Sequence, residues 1–237
     1  MSLEKVVIGN ATLWLGDCRE VLPKIERSAA LISDPPYGIG YVHSGNNPRK
    51  SKVLGGGLVS HGAKVAPIIG DDQPFDPALF LDFSHVLLFG ANHFAQRLPS
   101  SGSWMVWDKS PGILSGDSFV DSEFIWTSTK GVKRNVFRHL WKGLLADKIS
   151  EDLPGRNPNT WRRHHPSMKP VALMEWCIAT AAGQSGLIVD PYMGSGTTGV
   201  AALRMGRNFV GVEMDRGYFD IACERIERAQ RQERLFA

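Results

Sequence analysis

The chain of 237 residues is 43% hydrophobic and carries a formal net charge of +3. This length and composition predict one α/β domain over residues 1–237 with a substantial buried core. No apolar run approaches the roughly 20 residues of a membrane-spanning helix and the N-terminus lacks a secretion pattern, so we expect a soluble, cytoplasmic protein. The three cysteines are widely spaced without a CxxC pair, which predicts neither a disulfide framework nor a metal site.

The N-terminal region predicts a strand-helix-strand unit, with a strand at residues 12–15, an amphipathic helix at 18–26 and a compact apolar strand at 30–33. The second strand ends at Asp34-Pro35-Pro36-Tyr37, here called the DPPY segment, because two prolines cannot continue a sheet ladder. Residues 38–66 are rich in glycine and basic residues and lack hydrophobic periodicity, which predicts a long mobile loop.

The rest of the chain predicts alternating strands and helices. Apolar runs predict strands at 85–89, 103–107 and 121–127. The C-terminal third predicts a helix at 170–182, a strand at 186–189, a turn at 194–196, a helix at 197–205, a strand at 208–212 and a helix at 216–232. This alternation indicates a parallel sheet with helices on both faces.

Residues 190–198, here called the cofactor segment, combine a strand end, an acidic corner, a glycine turn and a helix start. Glycines let the backbone approach a ligand, and the helix start offers free N–H groups, so we expect a small molecule with a carboxylate or phosphate there. Glu213 ends the next strand, at about the separation that suits ribose hydroxyls, which indicates an adenosine-containing ligand. Neither GxGxxG nor a P-loop lysine is present. An isolated Gly-x-Gly is also compatible with a plain tight turn.

The DPPY segment fits the chemistry of an exocyclic amine on a nucleic-acid base. Such an amine is a poor nucleophile, because its lone pair is delocalised into the ring. Asp34 and the Pro35 carbonyl can each accept one amino hydrogen, and Tyr37 offers a flat face on which the base can stack. The tetrapeptide alone is equally compatible with a type I turn.

Together these segments resemble the beta class of amino DNA methyltransferases, in which the DPPY segment precedes the cofactor segment along the chain. The resemblance implies S-adenosylmethionine as the cofactor and a Rossmann-like α/β fold with a seven-stranded, mostly parallel sheet in circularly permuted order. It places Asp17 at the cofactor adenine, Lys169-Pro170 beside the methionine moiety and Glu213 at the ribose. The expected cofactor-binding residues are Asp17, Cys18, Ser167, Lys169, Pro170, Asp190, Pro191, Tyr192, Gly194, Ser195, Gly196, Thr197, Thr198, Glu213 and Met214.

Basic residues are concentrated between positions 129 and 170, where ten lysines and arginines face three acidic residues. Residues 129–165 are therefore a candidate DNA-recognition insertion, and the loop at 38–66 extends the basic surface. We expect DNA contacts from Arg49, Lys50, Lys52, Lys133, Arg134, Trp161, Arg162 and Arg163.

The expected activity is methylation of adenine N6 in a base flipped out of double-stranded DNA, because the adenine branch of the family carries Asp at the first position of its tetrapeptide. The resemblance also implies a bacterial or phage-infected host, and it is compatible with a homodimer and with a cognate restriction enzyme. Two alternatives are open: methylation of RNA or of a protein glutamine, where Asn is usual at the first position, and a non-catalytic nucleic-acid-binding subunit. The main hypothesis requires the DPPY and cofactor segments to share one cleft.

Overall fold

A computed structural model of the chain describes residues 3–40, 68–111, 122–142, 145–146 and 168–236. The expected loop at 38–66 is described only at 38–40, and the expected insertion at 129–165 only at 129–142 and 145–146. Seven expected site residues lie outside the described residues: Arg49, Lys50, Lys52, Trp161, Arg162, Arg163 and Ser167.

Eleven strands and four α-helices are formed by the described residues. The strands are β1 (Glu4–Ile8), β2 (Ala11–Leu15), β3 (Ala30–Ser33), β4 (His85–Phe89), β5 (Ser103–Asp108), β6 (Ser122–Thr127), β7 (Val136–Arg138), β8 (Trp141–Lys142), β9 (Leu145–Ala146), β10 (Leu187–Asp190) and β11 (Asn208–Glu213). The helices are α1 (Cys18–Val21), α2 (Val171–Ala181), α3 (Thr197–Arg204) and α4 (Arg216–Phe236), with 3₁₀ turns at Leu22–Lys24 and Ala91–Arg97. None of these helices has the length and apolar character needed to cross a membrane.

Nine strands form one mixed sheet in the order β1-β2-β11-β10-β3-β4-β6-β5-β7. The five strands from β2 to β4 in this order are mutually parallel, and β6 runs antiparallel to both of its neighbours. The expected number of seven strands is therefore too low for this sheet. β1 and β7 were not predicted from the sequence; both lie at sheet edges, and their residues are exposed or half-buried.

The two halves of the chain interleave in this sheet, since the C-terminal strands β11 and β10 lie between the N-terminal strands β2 and β3. Val189 pairs with Leu31 on one side of β10, and Gly211 pairs with Leu13 on the far side of β11. The C-terminal strands are therefore inserted between the two strands of the N-terminal strand-helix-strand unit.

Hydrophobic residues fill both faces of the sheet, because successive side chains of a strand point to opposite faces. Ile32 and Ile188 face the core that α2, α3 and α4 cover. Leu31 and Val189, their neighbours in sequence, face a second core with α1 and a group of phenylalanines. Buried hydrophobic residues thus cover both faces of the sheet, which forms the middle layer of a three-layer α/β structure.

Most predicted elements occur within two residues of their expected bounds, with α1 as the main exception. The expected helix at 18–26 ends at Val21 and continues as a 3₁₀ turn. Pro23 explains the difference, because it has no N–H with which to continue the α-helical hydrogen bonds.

Candidate active site

The candidate site residues gather at one edge of the sheet, here called the site edge, where the five parallel strands have their carboxyl ends. Asp17 follows β2, Glu213 ends β11 and Asp190 ends β10. On the other side of β10, Asp34 follows β3 and Gly90 follows β4. The residues expected to bind the cofactor, here called the cofactor half, thus lie next to those expected to act in catalysis, here called the catalytic half.

A direct hydrogen bond joins the two halves. The buried Ser33 hydroxyl, one residue before the DPPY segment, donates to Asp190 Oδ1 over 2.7 Å. The DPPY segment and the cofactor segment, 156 positions apart at their acidic residues, are therefore neighbours, as their predicted shared cleft requires.

The turn of the cofactor segment depends on two glycines with left-handed backbone, Gly194 at φ 51° and Gly196 at φ 81°. Gly194 N–H donates to Glu213 Oε2 over 2.9 Å, which ties the turn to the end of β11. A Cβ atom at Gly196 would lie 3.0 Å from the Cβ of Ala222 in α4. The turn is therefore closed by close packing as well as by conformation.

The hydroxyl groups of this turn bind inside the protein. Arg225, a buried residue of α4 that the sequence analysis missed, donates to Ser195 O at 2.7 Å, Ser195 Oγ at 2.9 Å and Thr197 Oγ1 at 3.1 Å. Thr198 Oγ1 donates to Asp190 Oδ2 over 2.5 Å. These side chains stiffen the turn, so backbone groups at the start of α3 are what it can offer to a ligand.

Two acidic residues of the cofactor half are perturbed by burial. Burial raises the pKa of Asp190 to about 6, although hydrogen bonds from Thr198, Ser33 and the Tyr192 N–H oppose the shift. Burial also raises the pKa of Glu213, against the backbone N–H groups of Asp215, Met214 and Gly194. Glu213 Oε1 accepts the Met214 and Asp215 N–H groups at 2.8 Å each, which fixes the carboxylate in place at the end of β11.

Asp17 and Cys18 lie beside Glu213, because Gly16 N–H donates to the Glu213 carbonyl over 2.8 Å. The Asp17 carboxylate caps α1 by accepting the Arg19 N–H over 2.9 Å and also binds the exposed Arg19 guanidinium. Cys18 is buried, and burial raises its pKa to about 11, so it stays a thiol. Pro191 is buried at the turn, while Tyr192 packs edge-on against Phe75 and Phe80.

The DPPY segment is held in place by contacts on its C-terminal side. The buried Asp71 carboxylate accepts the Gly38 N–H over 2.8 Å and the Ile39 N–H over 3.3 Å. Gly38 has φ 74°, and a Cβ atom there would lie 2.3 Å from the Gln73 carbonyl oxygen. Asp71 is a further residue that sequence reasoning missed, because it comes from beyond the glycine-rich region and matches no local motif.

Asp34 has two hydrogen-bond partners. The Tyr37 hydroxyl donates to Asp34 Oδ1 over 2.5 Å, and Lys169 Nζ donates to Oδ2 over 2.7 Å. Burial and the Asp34 charge hold the pKa of Tyr37 well above its usual range, so this hydroxyl remains a donor. Lys169, which the resemblance places beside the cofactor methionine, is thus seated on the expected catalytic carboxylate; Pro170 follows it, buried, as the residue before α2.

The Tyr37 ring is in contact with His93 and with the backbone at Gly90. It lies parallel to the His93 ring at a centroid distance of 5.1 Å and an interplanar angle of 15°. A Cβ atom at Gly90 would lie 2.1 Å from the Tyr37 ring. His93 therefore covers one face of Tyr37, so the expected stacking of a base has to use other surface of this ring.

Glu123, near the start of β6, was not among the expected site residues. It completes a cluster of four charged side chains. Lys169 Nζ lies 2.9 Å from Glu123 Oε1, and Lys109 Nζ lies 2.6 Å from Oε2. Burial raises the pKa of Glu123, but the two lysines outweigh it and lower the pKa to about 2. Burial lowers the pKa of Lys169, and the Asp34 and Glu123 charges reverse this and raise it. We call these residues the charge cluster: Asp34, Lys169, Glu123 and Lys109.

Two expected DNA-contact residues, Lys133 and Arg134, do not lie near the charge cluster. They follow β6, whose first residues are at the site edge and whose last residue, Thr127, pairs with Leu87 further down β4. The Ser128 and Thr129 side chains then reach Val86 and His85, at the start of β4. Lys133 and Arg134 are exposed in the loop between the end of β6 and the start of β7.

Residues 102–224 match a family model for N6 and N4 methyltransferases, described as DNA methylase. The matched range runs from the start of β5 into α4 and includes Glu123, Lys169 and the whole cofactor segment. The DPPY segment precedes it.

Among curated proteins, the chain is 37% identical over 90 residues to Type II methyltransferase M2.DpnII from Streptococcus pneumoniae. That match spans 38% of this chain and 30% of the relative. Among solved structures, the M1.HpyAVI–SAM complex aligns over 91% of this chain and 99% of its own, with a TM-score of 0.50 and 22% identity. The cytosine-N4-specific PvuII DNA methyltransferase aligns over 92% and 87%, with a TM-score of 0.55 and 17% identity. At these identities the two structures show a shared α/β fold.

Proposed function

Because the chain belongs to the DNA methylase family of N6 and N4 methyltransferases, we propose that it transfers a methyl group from S-adenosylmethionine to an exocyclic amino group of a base in double-stranded DNA. The finer proposal is adenine N6 in a flipped-out base, for which the Asp at position 34 is the argument. The observation that carries the proposal is the Ser33–Asp190 hydrogen bond of 2.7 Å, which makes the two motif segments neighbours at one sheet edge.

The cofactor half supports binding of S-adenosylmethionine by the residues at the ends of β2, β10 and β11. The rigid turn at Gly194–Gly196 leads into α3, whose first backbone N–H groups are suited to the methionine carboxylate. Glu213 is fixed by three backbone N–H groups, and Oε2 accepts one of them, so this oxygen keeps a lone pair for a ribose hydroxyl. Asp17 adjoins Glu213 and is the candidate contact to the adenine.

The catalytic half supports activation of an amine by Asp34. Each carboxylate oxygen has two lone pairs, and among the described residues each accepts one hydrogen bond, from Tyr37 or from Lys169. Asp34 can therefore still accept an amino hydrogen, and the buried Pro35 can accept another with its carbonyl. Both contacts draw the nitrogen lone pair toward the sulfonium methyl, and the negative Asp34 stabilises the positive charge that develops on nitrogen during in-line transfer.

Flipping the base brings it from the DNA stack to the site edge at a cost of a few kcal/mol. Stacking on an aromatic side chain offsets about 1 to 3 kcal/mol of this. The Tyr37 surface left open by His93 is the proposed platform.

The test is transfer of a tritiated methyl group from labelled S-adenosylmethionine to unmethylated double-stranded DNA, followed by digestion to nucleosides. We expect label in N6-methyl-2′-deoxyadenosine. Label in N4-methyl-2′-deoxycytidine would retain the amino-methyltransferase proposal and overturn the choice of adenine. Label absent from DNA but present in RNA or in protein glutamine would overturn the DNA substrate.

A further inference from the structure

The charge cluster is a buried chain of alternating charges whose members come from four separate parts of the fold. Asp34 follows β3, Glu123 begins β6, Lys109 follows β5 and Lys169 precedes α2. The side chains of Glu123 and Lys169 are 12% and 11% exposed. Since burying an ion is costly unless it is well paired, the alternation of charges matters most for the two least exposed members, Glu123 and Lys169.

Glu123 is the member with the largest number of partners. Its Oε1 lies 2.9 Å from Lys169 Nζ and 3.2 Å from the Tyr37 hydroxyl, and its Oε2 lies 2.6 Å from Lys109 Nζ. Both groups that bind Asp34, the Lys169 ammonium and the Tyr37 hydroxyl, thus also lie within hydrogen-bond distance of Glu123. The Lys169 ammonium, which has three hydrogens, is therefore held from both sides, whereas the single Tyr37 hydroxyl hydrogen is donated to Asp34 in the shorter bond of 2.5 Å.

This arrangement decides how much of Asp34 stays available. A lysine ammonium is a compact point charge on a flexible stem, so a single carboxylate does not fix its direction. With Glu123 on its other side, Lys169 directs one N–H to Asp34 Oδ2 and another away from it. Lys109 in turn holds Glu123, and its ammonium nitrogen lies over the Trp107 ring, 4.8 Å from the ring centroid.

We propose that Glu123 is a positioning residue of the active site: by holding the Lys169 ammonium, it orients Asp34 and keeps a lone pair on Asp34 Oδ2 open to the substrate amine. This inference rests on the proposed methyl transfer. It adds a residue that lies outside both motif segments and makes no contact in this structure with the cofactor segment.

The primary test compares Glu123→Gln with the matched control Glu227→Gln, an exposed residue of α4 paired with Arg231. We expect Glu123→Gln to lower kcat by about tenfold to a hundredfold, as misplacement of a catalytic group does, while KM for S-adenosylmethionine changes less than twofold. Glu227→Gln should match the wild type. A Glu123→Gln variant that is folded and within twofold of wild-type kcat would overturn the proposal.

A double-mutant cycle with Lys169→Met separates positioning from general stabilisation. If Glu123 acts through Lys169, adding Glu123→Gln to Lys169→Met should lower kcat by less than twofold more. Equal, independent losses in the two backgrounds would contradict the proposal. Should Glu123→Gln not fold, Lys109→Met removes the outer tether of Glu123 and should lower kcat in the same direction, with unchanged kcat overturning the proposal.

A readout that does not need turnover distinguishes failure of this inference from failure of the proposed function. The Lys169 ammonium should give a sharp ¹⁵N–¹H NMR resonance, assigned by its absence in Lys169→Met, because its hydrogens are held. We expect this resonance to broaden beyond detection in Glu123→Gln and to persist in Glu227→Gln. A wild type that methylates no base would sink the proposed function, whereas an unaltered resonance in Glu123→Gln would sink the positioning role.

Discussion

Buried carboxylates at the site edge are controlled in opposite directions by their neighbours. Asp190 is surrounded by hydroxyl and backbone donors without a facing cation, so burial dominates and its pKa rises to about 6. Glu123 has two lysines within 3 Å, so its pKa falls to about 2. One carboxylate thus gains a proton near neutral pH while the other stays charged in acid, although both belong to the same edge of one sheet.

The raised pKa of Asp190 predicts a pH-dependent effect of Asp190→Asn on stability. Between its ordinary pKa of 3.8 and about 6, the folded protein retains a proton that the unfolded chain has lost, so this group's contribution is present below 3.8 and is lost as pH rises through about 6. The free energy of unfolding of the wild type minus that of Asp190→Asn should therefore fall by on the order of 3 kcal/mol from pH 4 to pH 7. Urea unfolding at both pH values measures it. Asp220→Asn, on the surface of α4, controls for loss of a carboxylate, and a difference that rises with pH would contradict the assignment.

Asp34 carries the proposed amine activation, so Asp34→Ala should lose turnover by at least about a hundredfold, as removal of a preorganised polar contact does. Cofactor binding should remain, because no hydrogen bond or ion pair joins Asp34 to the cofactor segment among the described residues. Calorimetry with S-adenosylmethionine and the tritium assay measure the two effects, with Asp220→Ala as control. Unchanged turnover would remove Asp34 from its role.

Element ends, rather than element interiors, position this site. Gly90 closes β4 with φ 60° and leaves room for the Tyr37 ring, while Arg225 reaches from α4 to the turn before α3. The sequence patterns predicted both elements, because helix and strand periodicity are local. They did not identify Arg225, since its three hydrogen bonds join residues 28 to 30 positions away, and a single arginine on a charged helix reads as a surface residue.

Gly90→Ala should disturb both the backbone and the Tyr37 ring. A left-handed conformation costs an alanine roughly 1 to 2 kcal/mol, and the added methyl would overlap the ring 2.1 Å away. Gly131→Ala is a matched control, because Gly131 has φ 66° and nothing within 4 Å of the added methyl. Thermal unfolding should show a larger loss for Gly90→Ala, and only this variant should lose methyl transfer. Equal losses of stability and activity would contradict a packed contact between Gly90 and Tyr37.

Arg225→Met should loosen the turn of the cofactor segment. The Ser195 carbonyl and two hydroxyls would lose a buried donor, and unsatisfied buried groups cost about 1 to 3 kcal/mol each. We expect a loss of unfolding free energy of about 2 to 4 kcal/mol and weaker binding of S-adenosylmethionine, measured by urea unfolding and calorimetry. Arg228→Met, at an exposed position of the same helix, should change neither. Tight cofactor binding by a folded Arg225→Met protein would contradict the role.

At the scale of the whole molecule, the sheet separates the site edge from the basic residues after β6. Lys133 and Arg134 border a groove with Lys130 and Trp176. A duplex whose base enters at Asp34 would lie over the site edge, whereas Lys133 and Arg134 follow the far end of β6. Contact of these two residues with DNA stays a prediction from local charge.

The salt dependence of DNA binding tests this separation, since each phosphate contact contributes about 0.9 to the slope of log K against log salt. We expect Lys133→Ala/Arg134→Ala to leave the slope unchanged. Arg138→Ala, at an exposed position paired with Asp108 at the site edge, should reduce it by about one. A reduction of the slope by about two in the double variant would confirm the sequence-based prediction that both residues contact DNA.

Local sequence patterns predicted most of the strands and helices and both motif segments, because strand periodicity, prolines at a strand end and glycines before a helix act over a few residues. Asp34 and the turn at residues 194–196 were identifiable on that basis. The order and direction of the strands, in contrast, follow from tertiary packing. β10 and β11 lie between β2 and β3, which places Asp190 beside Ser33. β6 runs antiparallel to its neighbours, which brings Glu123 to Lys169. Strand order and direction depend on packing over the whole chain, so no local pattern encodes the partners of a buried charge.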